Sequence, residues 1–216
     1  MKKFVAGLLA TILIVGLTLP VSAYASDKSK IKKLVGCMEA FEFMVFTSNY
    51  VDENGEFETD FDDAMMAKAA ALSVSLKGAK IAGHDPDSYS DDYMWVEYAI
   101  SSKKIKKASK NIFGKSVSYK KLFMNEYFTF LDAYLNEKGK PVVYVWQWET
   151  ETDYVVRDIS IKKVSDKKYT VTKKIFCGYW GLNKDGKANY AVTYNVEKNS
   201  KSKYGFVITS MKVTEP

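Results

Sequence analysis

The stretch Ala188–Lys198, "ANYAVTYNVEK", decides the fold. Tyr190, Val192, Tyr194 and Val196 fall on one side, and Ala191, Thr193, Asn195 and Glu197 on the other. A period of two with one apolar side is the pattern of a half-buried β-strand. The pattern extends in both directions. Downstream, the polar link "NSKSK" leads to "YGFVITSMKV", a closing strand. Upstream, "LNKDGK" leads back to "KYTVTKKIFCGYW", and "SDKK" joins that segment to "VVRDISIKKV". Before these stands "KPVVYVWQWE", which is apolar on both faces. The links have hairpin length. Five consecutive strands so joined predict an antiparallel meander.

Before Gly139 the period is helical. Ile31, Leu34, Val35, Met38, Phe41 and Val45 recur at three and four, which predicts a helix from Asp27 to about Asn49. Asp60 or Asp62 is placed to cap a second helix, Asp63 to Lys77, with Gly78 suited to its C-terminal cap. A short helix is expected over Asp92 to Ile100. Ser102 reads as the N-cap of Lys103 to Phe113, closed by Gly114. Asn125 to Asn136 has helical spacing, with a strand as the other reading. Helices followed by strands predict one α+β domain over 26–216. Its N-terminal helices (26–138) pack on a C-terminal five-stranded antiparallel meander (139–216).

The first 25 residues read as an address. Lys2 and Lys3 precede an apolar run from Phe4 to Leu19, Pro20 breaks it, and Ala23-Tyr24-Ala25 offers a small-x-small cleavage site. That pattern predicts a secretory signal peptide cut near Ala25. The run is short for a bilayer span of roughly 20 residues, so no transmembrane span is expected in the mature chain. Ser26, not a cysteine that could carry a lipid, directly follows the cut. The expected location is extracellular or envelope-associated.

The formal net charge is +6, and loss of Lys2 and Lys3 with the leader lowers it by two. Arg157 is the only arginine. Paired hydrogen bonding to guanine edges favours the guanidinium fork, so sequence-specific nucleic-acid binding is not expected. Lysine gives a diffuse, salt-sensitive attraction instead. The two cysteines, Cys37 and Cys177, leave two readings open in an oxidising compartment: one long-range disulfide, contributing at most about 4–5 kcal/mol in the chain-entropy account, or two separate core thiols.

The helix-then-meander order and the closing "VEKNSKSKYGFVITSMKV" resemble the NTF2-like (cystatin-like) α+β superfamily. "KKASKNIFGKSVSYKK" resembles segments of uncharacterised secreted proteins of Gram-positive anaerobes. The superfamily resemblance implies a curved sheet able to enclose a cone-shaped pocket. It implies small-molecule binding, isomerase or dehydratase chemistry, or partner binding, and a fold does not choose among these.

The chemical inventory excludes more than it admits. His84 is the only histidine, placed in a polar connection far from either cysteine, so no nucleophile–base pair can be read. Four zinc ligands cannot be assembled, and no metal or other cofactor is expected. "DENGEFETDFDD" holds seven acids in twelve residues. The EF-hand spacing nevertheless fails: with Gly55 at the sixth loop position, Tyr50 is first and Phe61 twelfth. Tyr144, Trp146 and Trp148 share one side of "VVYVWQW", with Val143, Val145 and Gln147 on the other. With Tyr194 they are candidates to contact a small apolar or sugar ligand.

"SSKKIKKASKNIFGKSVSYKK", Ser101–Lys121, has eight lysines and no acid. Ile105, Ala108 and Ile112 make an apolar edge, and Lys103, Lys104, Lys106, Lys107 and Lys110 cover the rest. Lysines in the first turns oppose the helix dipole at about 0.3–1 kcal/mol each. Residues 52–97 hold twelve acids against three lysines. Either those acids meet the basic helix within the molecule, or the lysines face outward to anionic envelope polymers or lipid headgroups. The expected function is a secreted, non-enzymatic binding protein at the bacterial envelope. A pocket enzyme or small-molecule binder and an inhibitor or immunity protein are the alternatives.

Overall fold

The computed structural model describes residues 24–47, 50–52, 55–84, 95–125, 130–146, 152–179 and 190–214. In chain order these form α1 (24–36), α2 (Glu39–Thr47), β1 (Phe57–Thr59), α3 (Asp63–Leu72), β2 (Ile81–His84), β3 (Trp95–Ala99) and α4 (Ser102–Phe113). A single 3₁₀ turn, Tyr119–Lys121, follows. Then come β4 (Leu131–Leu135), β5 (Pro141–Trp146), β6 (Thr152–Lys163), β7 (Lys168–Tyr179), β8 (Tyr190–Lys198) and β9 (Phe206–Thr214). The fold is α+β with two antiparallel sheets, ordered β1-β9-β8-β7-β6 and β2-β3-β5-β4.

The meander β6–β9 forms as its alternation predicts. In register across β7, β8 and β9, the inner face carries Tyr169, Val171 and Ile175, then Val192, Tyr194 and Val196, then Phe206, Ile208, Met211 and Val213. All are buried. A bulge beside Asn195 keeps Val196 and Ile208 on the inner side. The meander has four strands, not the five expected. The fifth strand of its sheet is β1, whose Phe57 lies opposite Val213. β5 belongs instead to the second sheet, between β3 and β4. Its two apolar faces fit a central strand covered on both sides.

Helices α1 and α2 cover the inner face of the larger sheet. Ile31, Leu34, Val35, Met38, Phe41, Met44 and Val45 are fully buried there in one core with the strands. Tyr24 donates to Ile161 O at 3.2 Å, and Tyr169 donates to Asp27 at 2.8 Å. Phe46 stacks on Tyr190 with ring centres 4.5 Å apart.

Four segments depart from the sequence reading. The helix expected from Asp27 to Asn49 is two helices, broken at Cys37 and Met38, and Asn49 lies outside the described residues. There the Cys37 and Met38 amides donate to Leu34 and Val35 carbonyls three residues back. The second helix stops at Leu72, not Lys77. The Ser73 hydroxyl donates to Ala70 O at 2.8 Å and satisfies a terminal carbonyl, so Gly78 is a turn residue, not a cap. The helix expected over Asp92–Ile100 is β3, with 92–94 outside the described residues. Trp95, Val96 and Tyr98 are strand-favouring, and all five β3 residues pair with β5. The Asn125–Asn136 segment resolves to the strand reading, β4, with 126–129 outside the described residues. Over five residues helical and strand spacings coincide, and pairing with β5 decides.

Asp62 caps α3 as expected: its carboxylate accepts from the Met65 amide at 2.7 Å. Asp62→Ala should lower stability by about 1 kcal/mol. Urea denaturation should show this as a lower midpoint with an unchanged slope.

Candidate functional site

The basic helix α4 is bolted along its length. Ile105, Ser109 and Ile112 form its buried edge. At its end Gly114 takes φ 74°, and its amide donates to Lys110 O. A side chain there would also meet the Asn199 amide nitrogen at 2.7 Å, so glycine lets α4 close against the β8–β9 turn. Ser202 donates to Asn111 O at 2.5 Å across the same contact. Beyond Gly114 the chain reverses along the helix. The Val117 amide donates to Ser109 Oγ at 3.2 Å, while the Ser109 hydroxyl donates to Lys115 O.

The N-cap is Ser101, one residue before the one expected, and its hydroxyl makes no capping bond. No acid lies in the first turn. A cleft of about 330 Å³ opens at this end, with Lys80, Lys104, Ser75 and Ser101 beside Val74 and Ile100.

Lys103, Lys104, Lys106, Lys107 and Lys110 are all exposed. Among the described residues, none has a carboxylate within ion-pair distance. Some other exposed lysines do: Lys115 with Asp63 at 2.6 Å, Lys163 with Asp166 at 2.7 Å, Lys168 with Glu197 at 3.0 Å and Lys198 with Asp27 at 3.1 Å. Five described acids of the 52–63 loop are used elsewhere, and Asp60 is exposed. Asp52 accepts from the Glu56 amide, Glu56 and Glu58 flank Lys212, Asp62 caps α3 and Asp63 holds Lys115. The second acidic stretch, 85–92, lies outside the described residues.

The four aromatic candidates do not line one cavity among the described residues. Tyr194 is fully buried in the larger sheet and donates to Glu42. Tyr144 and Trp146 are half-buried on β5 in the smaller sheet, and Trp148 lies outside the described residues. The neighbours of Tyr144 are residues the sequence reading missed. Trp95 lies opposite Trp146 with its ring centre 5.9 Å from that of Tyr144. Glu97 lies opposite Tyr144 and accepts from the Tyr134 hydroxyl at 2.5 Å. The strand-favouring residues of "WVEYA" were the available signal.

Two buried ion pairs were also illegible in the sequence. Lys173 Nζ donates to Glu42 Oε1 at 2.7 Å, to Oε2 at 3.0 Å and to Val35 O at 3.0 Å. Lys68 Nζ donates to Asp132 Oδ1 at 2.7 Å and to Asn125 Oδ1 at 2.9 Å, and lies 4.0 Å from the centre of the Phe123 ring. Burial pushes the Lys68 ammonium below its ordinary pKa, against the pull of Asp132. Tyr50 donates to Asn125 Oδ1 at 2.5 Å, completing that cluster. The Asn125 side-chain nitrogen, Nδ2, is buried without a hydrogen-bond partner among the described residues.

Cys37 is a free thiol, half-buried, and shares a hydrogen bond of 2.8 Å with Tyr204. The pairing with Cys177 that the sequence left open is therefore not made here, and the Cys177 side chain lies outside those described. His84 is not in a loop but ends β2, exposed, opposite Val96. Among the described residues no three His, Cys, Asp or Glu side chains converge as a metal site, and no helix is long and apolar enough to cross a membrane. The chain matches no known family, no curated protein and no solved structure.

Burial raises the tyrosine pKa values at these clusters. Tyr50 and Tyr144 move from 10.0 to about 12. Tyr169, where burial adds to its bond to Asp27, moves equally far. A phenol with a raised folded pKa contributes stability that is intact below the unfolded value and lost as pH rises through the folded one. Stability should thus fall between pH 10 and about 12 from these three residues. Tyrosinate absorbance in the folded protein should lag behind that of the urea-unfolded chain over the same window.

Proposed function

We propose that this chain is a secreted, non-enzymatic binding protein that acts at the bacterial cell envelope and grips an anionic polymer there through α4. The observation that carries the reading is the set of five exposed lysines on one rigid helix without a carboxylate partner among the described residues. Some lysines elsewhere on the surface have such partners and others, such as Lys120, Lys121 and Lys174, have none among the described residues; α4 is distinguished by carrying five on one helix. An unpaired run of like charge costs self-repulsion, and a polyanion relieves it. The leader pattern over residues 1–25 supports export.

The interior of the larger sheet supports a binding module over a pocket enzyme. Its inner face is filled, and the carboxylate there, Glu42, is held by Lys173 and Tyr194. We keep the NTF2-like likeness for the part built from α1, α2 and β6–β9. The four-stranded second sheet lies outside what that likeness implies.

The mature chain from Ser26 should pellet with purified bacterial cell walls at low salt and release as ionic strength rises. The variant with glutamine at Lys103, Lys104, Lys106 and Lys107 should bind roughly a thousandfold more weakly, at about 1 kcal/mol per lysine near an anionic surface. A wild-type chain that stays in solution at low salt, or a variant that pellets equally, would overturn the reading.

A further inference from the structure

The segment after α4 departs from the usual burial of apolar side chains. Val117 and Leu122 are buried and anchor it. Phe123 and Met124, directly after, are 39% and 64% exposed. Only Ile81 and Val164 among the other described large apolar residues are comparably exposed, and each stands alone in the sequence. Phe123 and Met124 follow Lys120 and Lys121, both exposed and without a carboxylate at ion-pair distance among the described residues.

The exposure is built on a rigid support. The Leu122 amide donates to Tyr119 O at 3.0 Å on one side of the pair, and the Asn125 amide donates to Asp132 Oδ2 at 2.9 Å on the other. The Phe123 ring rests on the buried Lys68 ammonium, 4.0 Å away. The segment that leads to the pair runs back along the basic helix. The chain folds back from Gly114 with Val117 bonded to Ser109, and the Tyr119–Lys121 turn packs against α3 and α4.

We infer that Phe123, Met124, Lys120 and Lys121, together with the α4 lysines, form a docking surface for an anionic lipid bilayer. This inference rests on the polyanion reading of α4 and extends it from a polymer to an anionic lipid surface. A charged polymer rewards only the lysines. A bilayer surface rewards both parts, since headgroup phosphates meet the ammonium groups while the apolar pair enters the boundary between headgroups and acyl chains. Neither signal alone holds a protein firmly to a membrane; an apolar contact combined with a basic patch does.

The test is flotation of the processed chain from Ser26 with vesicles of equimolar phosphatidylglycerol and phosphatidylcholine, against phosphatidylcholine alone. Pelleting with delipidated cell walls runs in parallel. Wild type should float only with the anionic vesicles. Phe123→Ser/Met124→Ser should weaken flotation about tenfold while leaving wall pelleting unchanged. Lys120→Gln/Lys121→Gln should weaken flotation about thirtyfold. Met124→Ser alone, at an exposed side chain, covers the case in which loss of the Phe123 ring disturbs the fold. If the apolar variants float as well as wild type, the inference fails. If wild type pellets with walls but does not float, the inference fails and the polyanion reading stands. Binding to neither overturns both.

Discussion

Lys173 places an ammonium group in the middle of a hydrophobic face. On β7 it alternates with Val171 and Ile175, both fully buried, and it is fully buried itself. A charge there must be met, and the way it is met shapes the helical layer. Glu42 on α2 supplies both carboxylate oxygens, and Val35 at the end of α1 supplies a carbonyl. That carbonyl faces the lysine where the helix breaks at Cys37 and Met38. A continuous helix would direct it along its own axis to the amide four residues on. The break, the placement of α2 and the Tyr194 bond to Glu42 thus answer one buried charge. Lys68 and Asp132 repeat the arrangement between α3 and the smaller sheet.

The surface uses lysine in the opposite way. Inside, each buried ammonium has a carboxylate; on α4, five exposed ammonium groups have none among the described residues. The helix is nevertheless firmly held, by Ser109, by the Asn111 contact with Ser202 and by the Gly114 cap. Its charges are displayed on a fixed support, and lysines in its first turn, where the dipole favours acids, add to the positive potential at that end.

Legibility followed the range of the interactions. The strands β6–β9 could be read because each residue's side is set by local alternation. Helix α4 could be read, to within one residue, because its apolar edge and Gly114 are local signals. The break at Cys37–Met38 could not, because the apolar spacing from Ile31 to Val45 continues through it and the Lys173 that meets Val35 O there is far away in sequence. β3 and β4 were obscured because five residues are too few to separate two periods, and pairing with β5 settles both. The candidate lysines were legible as a group, but their lack of partners was not. That depends on where the acids of residues 52–63 are directed, which only the folded chain determines. Lys68, in an alanine-rich segment, reads as a surface residue until Asp132 is brought to it.

The most direct test of this account is a double-mutant cycle on the buried pair, read by urea denaturation. Glu42→Leu and Lys173→Met should each cost about 3–5 kcal/mol, since each strands a buried charge. Together they should cost far less than the sum, because no unpaired charge remains. Single costs below about 1 kcal/mol, or costs that simply add, would show that the buried charge does not organise the helical layer.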